Sequence, residues 1–169
     1  MPAQGTLVVG AAQADGTQLW QRYVAQGQQP SDTTVRFTPQ GPFLLSTTEA
    51  SPQGNITCTF DPPIPAPAWP AAVGDKFSST GDCGKFTISV SGAITGQKQV
   101  TVGGVAYQVW VIDSTLSLHG EVSGSGSEED WYSPALRLPV HEYDQLKGTY
   151  GAFTFSSTLT SDLVSGTPS

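Results

Sequence analysis

Acyl transfer by a side-chain nucleophile needs a serine or cysteine, a histidine base and a carboxylate that orients the base. The chain has two histidines, His119 and His141, and Ser133 is a serine close to the second of them, with Glu142 and Asp144 beyond. No Gly-x-Ser-x-Gly nucleophile elbow is present. Ser133 precedes a proline in a predicted turn, and His141 falls on the polar face of a predicted strand. Both are therefore predicted to face solvent, and no catalytic residue is assigned.

Paired carboxylates are the second route to chemistry, and the acidic run Glu128-Glu129-Asp130 is where they cluster. Neighbouring strand residues point to opposite faces, so Glu128 and Asp130 would share one face without Glu129. Such a pair could move protons, as in glycosidases, or bind Ca²⁺ together with Glu121. The interpretation we favour is that these charges keep a loop soluble and discourage pairing between sheet edges. No glycine-rich phosphate loop followed by a helix is present, and no metal or other cofactor is predicted.

The tryptophans could form a carbohydrate-binding platform, because flat aromatic rings can stack on the apolar faces of sugars. Trp110 falls on the core-facing side of a predicted strand, and Trp131 is predicted to be its cross-strand or diagonal neighbour. These two are assigned to packing, together with the neighbouring Tyr132. Trp20 and Trp69 are the candidate ligand-binding rings on the surface.

The two cysteines, Cys58 and Cys83, match no zinc or thioredoxin-type spacing. Two cysteines without nearby histidine cannot complete a tetrahedral metal site. Redox or metal chemistry is the alternative, and one structural disulfide is the interpretation we favour. It would stabilise the fold by about 3–4 kcal/mol on the chain-entropy model. It would also place the protein in an oxidising compartment.

The composition argues against several classes of partner. Seven basic and fourteen acidic residues give a net charge of −7, whereas nucleic acids and anionic membranes attract clustered Lys and Arg. No apolar run reaches the ~18 residues of a membrane span, so no integral membrane segment is predicted. A charged fraction of 12% with abundant Ser, Thr and Gly is typical of extracellular or cell-surface β proteins. The start Met1-Pro2-Ala3 has no signal-peptide regions, so we expect the chain to begin after a cleavage site.

A long hairpin in the second half of the chain is predicted to organise the fold. A strand over 105–118 places Trp110 on one face and Val109 on the other, so both faces are predicted to be covered. The polar Gly/Ser segment 121–127 is predicted to be a flexible loop that reverses the chain. The return strand begins at Trp131, in the sequence Trp-Tyr-Ser-Pro that ends with Pro134.

Alternation of apolar and polar residues predicts strands over most of the remaining chain. These strands are 6–10, 18–25, 33–38, 43–48, 55–60, 73–77, 86–94, 99–102, 136–143 and 153–163. A short helix over 17–26 is the alternative for the second of them, because Gln, Leu and Ala tolerate helix well. The segment 145–149 is predicted to turn the chain. Short connections then favour antiparallel hairpins in a meander.

The segment 61–72 interrupts this pattern, with five prolines between positions 61 and 70. Proline removes the amide donors that a sheet needs, so the segment is predicted to cross the sheet as an extended, polyproline-like connector. A docking motif for an aromatic groove on a partner is the alternative. Residues 1–5 and 166–169 are predicted to be frayed ends.

The fold prediction is a single all-β domain over residues 1–169. It is an antiparallel meander of about nine or ten strands, and a sheet of that size must curl into a half-barrel, close into a barrel or split into two layers.

Three sequence motifs in the second half of the chain carry a resemblance: Val100-Thr101-Val102-Gly103-Gly104, Trp131-Tyr132-Ser133-Pro134 and Leu138-Pro139-Val140. In this order, with a long strand between the first two, they resemble a pattern in uncharacterised bacterial secreted proteins and lipoproteins. The resemblance implies a curved antiparallel sheet, loosely similar to the LolA-type lipoprotein carriers. Those carriers line a lipid cavity with helices that are not predicted here. No catalytic or ligand residue is carried over.

These observations favour a non-catalytic secreted or cell-envelope domain that binds a partner or an apolar ligand on a curved sheet. The partner would be an unknown protein, glycan or lipid. A carbohydrate- or cell-wall-binding module that uses Trp20 and Trp69 is the first alternative, and a hydrolase is the second. A lipid binder would enclose an apolar cavity larger than a few hundred Å³. A sugar binder would show two coplanar exposed rings, and an enzyme would show a histidine in a cleft with a carboxylate at its ring nitrogen.

Overall fold

The computed structural model describes residues 5–23, 31–51, 54–65 and 71–165, and within these ranges the chain is all β, as predicted. Eleven strands are present there, against the nine or ten predicted, and 17–23 is a strand and not a helix. The strands are β1 (Thr6–Val9), β2 (Thr17–Tyr23), β3 (Ser31–Thr38), β4 (Gly41–Ser51), β5 (Gly54–Pro65), β6 (Lys76–Asp82), β7 (Phe86–Val102), β8 (Val105–Gly120), β9 (Val122–Ser133), β10 (Leu138–Tyr150) and β11 (Phe153–Asp162). No helix in the described ranges is long and apolar enough to cross a membrane.

The strands form one antiparallel sheet in which each strand pairs with the strand before it and the strand after it. The predicted meander is therefore confirmed. The sheet curls into a half-barrel, because its two ends contact each other across one face. Arg22 of β2 forms an ion pair with Glu142 of β10, and the guanidinium carbon of Arg137 lies 5.8 Å from the centre of the Phe37 ring. We call the enclosed face concave and the opposite face convex.

Residues 122–127 are part of β9, so the predicted flexible loop over 121–127 is wrong. The chain reverses instead at Gly120, whose φ of 132° favours glycine. Glycine is a weak strand former on its own, but β9 is paired along its length with β10 on one side and with β8 on the other. A Cβ atom on Gly124 would lie 2.8 Å from Gly148 Cα of β10. The glycine therefore permits a close approach of the two backbones.

Several further boundaries differ from the prediction. Residues 73 and 74 lie in a turn before β6, and the strands predicted over 86–94 and 99–102 are the single strand β7. β10 runs on to Tyr150 and pairs with both neighbours over 145–149, so that segment does not turn the chain. Residues 61–65 of the proline-rich segment are the end of β5, where Pro65 pairs with Phe43 of β4. Proline can lie in a strand at positions whose amide is not needed for the ladder. Residues 66–70 of that segment lie outside the described residues, and 71–72 are in no strand. Residues 1–4 and 166–169, which were predicted to fray, also lie outside the described residues.

Apolar side chains pack on both faces of the sheet. The larger cluster contains the predicted disulfide, which is confirmed between Cys58 and Cys83, and both half-cystines are buried beside Phe60. This cluster lies on the concave side. Its Leu116 is four residues from Ile112 on β8, so both side chains point to the same face, and Val90 is the cross-strand partner of Leu116. The smaller cluster lies on the convex side and consists of Val102, Val109 and Val140. Both faces of β8 are therefore covered, as its sequence predicted.

Candidate functional site

A cavity of about 260 Å³ opens on the concave face, between β1–β4 on one side and β8–β10 on the other. We call it the concave cavity. Part of its wall is apolar and is formed by Leu7, Trp20, Val35, Leu44, Ile112, Tyr132 and Pro139. The rest is polar or charged and is formed by Arg22, Ser31, Thr33, Thr47, Glu49, Glu128, Asp130, Glu142 and Asp144. The cavity can therefore offer one ligand both apolar contact and ionic contact.

The register of β9 and β10 places four carboxylates next to one another on this wall. Asp130 is the cross-strand partner of Glu142, and Glu128 is the cross-strand partner of Asp144. Directly opposed strand residues have Cβ atoms about 4.5–5.5 Å apart, and like charges in that position repel each other. The prediction that Glu128 and Asp130 share a face without Glu129 is confirmed, since Glu129 lies on the convex side.

The predicted role of the acidic run in a soluble loop is wrong. Glu128 and Asp130 are half-buried strand residues that line the concave cavity. Glu121, proposed as their partner in binding Ca²⁺, lies at the β8–β9 turn, where its Oε2 is 3.5 Å from Lys85 Nζ. Among the residues that the structure describes, no group of three or more His, Cys, Asp or Glu side chains could hold a metal ion.

Arg22 is the one cation among the residues that line the cavity. Burial alone would lower the pKa of Arg22, but the Glu142 carboxylate beside it outweighs burial and raises that pKa. Burial, together with repulsion from Asp144 and Glu142, raises the pKa of Glu128 to about 7. Burial and the neighbouring carboxylates also raise the pKa of Asp130 well above its usual range. Burial, with Glu142 as the next cause, raises the pKa of Asp144 to about 6.

These shifts predict that the free protein becomes less stable as pH rises. At mildly acidic pH the folded state holds protons on Glu128 and Asp144 that the unfolded chain has already released. Stability therefore falls from about pH 4.5, near the unfolded pKa values, to about pH 7.5, above the folded ones. We expect the free energy of unfolding, from urea titrations, to be lower at pH 8 than at pH 5 by about 2 kcal/mol or more.

The variant E128Q tests which group is responsible. Because glutamine cannot ionise, E128Q is expected to raise the free energy of unfolding at pH 8 by about 1–3 kcal/mol and to change it little at pH 5. E121Q is the matched control, because Glu121 is exposed and lies outside the cavity. Wild-type stability that rises between pH 5 and pH 8, or an equal effect of the two variants, would contradict this assignment.

The structure describes one of the two tryptophans predicted as ligand-binding rings on the surface, Trp20, and not the other. Trp20 is only 8% exposed and lines the concave cavity, so its predicted place on the outer surface is wrong. Its indole Nε1 is buried without a hydrogen-bond partner, and among the described residues it is the one such side-chain nitrogen or oxygen atom. Trp69 lies outside the described residues.

Trp110 and Trp131 are not cross-strand or diagonal neighbours, so the predicted packing contact between them is wrong. The cross-strand partner of Trp110 is Tyr132, on the concave face, and both are buried. Trp131 pairs with Val111, so it lies on the convex face. The last residue of this motif, Pro134, follows β9 in the turn that leads to β10.

Trp131 is the centre of a polar group on the convex face. Its ring stacks on His141 with the centroids 4.0 Å apart, and Lys98 Nζ lies 2.9 Å from the ring centre. Its Nε1 donates a hydrogen bond of 2.6 Å to Glu129 Oε1. His141 and Lys98 contact the faces of the Trp131 ring, and Glu129 accepts the hydrogen bond from its Nε1. Trp131 therefore has a packing role.

The residues considered for acyl transfer are not brought together. His141 Nδ1 is 2.6 Å from Asp162 Oδ1 on the convex side, whereas Glu142 and Asp144 face the concave cavity. Ser133 is fully buried, and its Oγ accepts a hydrogen bond of 3.3 Å from the Leu136 amide. That hydroxyl stabilises the turn after β9 and has no open path to a substrate.

Sequence reasoning missed Arg22 and Glu49 as site residues. Arg22 shares a strand face with the apolar Trp20, and a lone arginine on a core-facing side is a signal for a buried carboxylate partner. The identity of that partner, Glu142, is not readable from the chain, because it lies 120 residues away. Comparisons of the chain with protein-family models, with curated proteins and with solved structures gave no match. The chemistry of the cavity is therefore the basis for assigning a function.

Proposed function

We propose that the chain is a non-catalytic, secreted or cell-envelope binding domain that takes a small ligand into the concave cavity. A cavity of about 260 Å³ whose lining is partly apolar and partly charged supports this proposal. Its volume is slightly below the range of ligand pockets, which measure roughly 300–1,000 Å³. It suits a molecule the size of an amino acid or a monosaccharide, or one side chain of a partner protein.

The Cys58–Cys83 disulfide supports the extracellular part of the proposal. Disulfides form and persist mainly in oxidising environments, such as the periplasm, the cell surface and the secreted fraction. A disulfide-bonded pair therefore fits an extracellular protein better than a cytosolic one.

The lining of the cavity weighs against an acyl chain as the ligand, because four carboxylates on β9 and β10 would be desolvated against it. A neutral sugar is the second candidate function. It is favoured by the buried Trp20 ring, which lines the same cavity as carboxylates that could accept hydrogen bonds from hydroxyl groups.

The test uses the indole N–H signal of Trp20 in a ¹H–¹⁵N spectrum, assigned by its loss in W20F. Three probes cover the ligand classes: glucose, hexanoate and 5-amino-1-pentanol. Thr47 lines the cavity, whereas the next residue, Thr48, points to the convex side, where its hydroxyl is 2.8 Å from that of Thr57. We expect at least one probe to shift the Trp20 signal in wild type and in T48F but not in T47F, whose added ring fills the cavity.

The matched pair of variants makes the result specific to the cavity, because both place a phenylalanine on β4 at neighbouring positions. The spectrum of each variant also reports whether it is folded, and T33F is a second cavity-filling variant, since Thr33 lines the same wall. The proposal fails if no probe shifts the Trp20 signal, or if the shifts persist in both T47F and T33F.

A further inference from the structure

We infer that the ligand of the concave cavity is a small organic cation: an ammonium or guanidinium group on a short apolar chain that also carries an oxygen acceptor. This inference rests on the proposed function and narrows it to one chemical class. It follows from the charges on the cavity wall, from the groups left without partners there and from the buried indole of Trp20.

The first step is the imbalance of charge. Five carboxylates line the cavity, and they face a single arginine. Arg22 forms its ion pair with Glu142, which also accepts a hydrogen bond of 3.3 Å from Ser161 Oγ. A bound cation would reduce the repulsion among the remaining carboxylates, whereas an anion would increase it.

The second step is that three carboxylates are available. Glu128, Asp130 and Asp144 make no hydrogen bond or ion pair with the described part of the chain. The oxygen atoms of these three side chains lack hydrogen-bond partners there but are not fully buried, so they keep some contact with solvent. A ligand in the cavity can therefore reach them. Charge-assisted hydrogen bonds from an ammonium or guanidinium group are stronger than those from neutral donors.

The third step is independent of the acidic residues. Trp20 lines the same cavity, is more than nine-tenths buried, and its Nε1 donor has no acceptor. A buried donor without a partner costs about 1–3 kcal/mol. Nε1 is sealed from solvent in the free protein, so a ligand with a hydroxyl or carbonyl oxygen recovers this cost by drawing the indole edge toward the cavity. The apolar residues Val35, Leu44 and Ile112 would contact the chain between the two polar ends.

The experiment compares two probes of nearly equal size, 5-amino-1-pentanol and 1,5-pentanediol, which differ in the replacement of an ammonium group by a hydroxyl group. We expect the amine to bind at least 10-fold more tightly than the diol at pH 8, from the titration of the Trp20 indole signal. The variant E128Q/D130N should weaken amine binding at least 10-fold. D113N/E121Q removes two acidic groups that lie outside the cavity, and it should bind as wild type does.

Amine binding should also weaken at pH 5.5, because protons then compete for the same carboxylates. The titratable and charged groups that face the ligand from all sides are Arg22, Glu49, Glu128, Asp130, Tyr132, Glu142 and Asp144. A lysine tripeptide with blocked ends distinguishes the two sources of an ammonium group. Tighter binding of the tripeptide than of the free amine would identify a side chain of a partner protein, and tighter binding of the free amine would identify a small molecule.

The outcomes separate this inference from the proposed function. If glucose or hexanoate binds in a way that T47F abolishes and the amine does not bind, the cavity is a binding site but not for cations. Equal affinities of the amine and the diol, or an unchanged affinity in E128Q/D130N, would overturn the inference in the same way. If none of the probes binds, both proposals fail.

Discussion

Replacement of Arg22 by methionine is expected to lower the free energy of unfolding by about 3 kcal/mol at pH 8, and by less than half of that at pH 5.5. The loss at pH 8 arises because Glu142, whose side chain is 16% exposed, would keep its charge without a partner. Asp144 and Glu49 would also lose the nearby positive charge. At pH 5.5 the carboxylates of the cavity can take up protons, which removes much of the penalty.

The double variant R22M/E142Q separates the ion pair from the packing of the arginine stem. It should recover most of the loss at pH 8, since removal of both charges leaves no buried ion. R36M is the matched control, because Arg36 is exposed on the neighbouring strand β3, and it should change stability by less than about 0.5 kcal/mol. Losses of equal size at both pH values would show that the charge of Arg22 is not what stabilises the fold.

Reduction of the Cys58–Cys83 disulfide is expected to lower the free energy of unfolding by about 3–4 kcal/mol. The two cysteines are 25 residues apart, so the bond restricts a long loop in the unfolded chain. In the folded state it joins β5 to the turn that follows β6, inside the larger apolar cluster, which includes Val90 and Leu116. Urea titrations with and without dithiothreitol measure the difference.

The variant C58A/C83A is the control for the reductant itself. Its stability should be close to that of the reduced wild type, less a small loss from the missing sulfur atoms, and dithiothreitol should not change it. An effect of the reductant below about 1 kcal/mol on wild type would show that the folded sheet constrains this region without the bond.

The carboxylates of the concave cavity lower the stability of the free protein at neutral pH. Groups such as Glu128 and Asp130 are half-buried, close to like charges and not compensated by hydrogen bonds. Conflicts of this kind, between local chemistry and stability, are typical of functional sites, where ligand binding supplies the missing interactions. The same reasoning connects the pH dependence of stability with the proposed preference for a cation, because both depend on the charge of one wall.

Part of this site was predictable from the two-residue alternation of side chains along a strand. Alternation placed Glu128 and Asp130 on one face and Glu129 on the other, and the register with β8 and β10 agrees. The sequence also predicted the disulfide and the antiparallel meander. The first part of β9, residues 122–127, was missed because Gly is depleted in strands. Ladders on both sides of it supply the hydrogen bonds that override this preference.

By itself, the sequence determined which side chains of a strand share a face, because that property depends on the local geometry of an extended chain. The tertiary structure alone decided which face is enclosed and which distant strands meet across it. The twist of the sheet and register shifts such as that between Pro139 and His141 control this curvature, and they arise from the pairing of whole strands. The meeting of Arg22 and Trp20 with the carboxylates of β9 and β10 is therefore a consequence of the curl, and no local pattern in the chain records it.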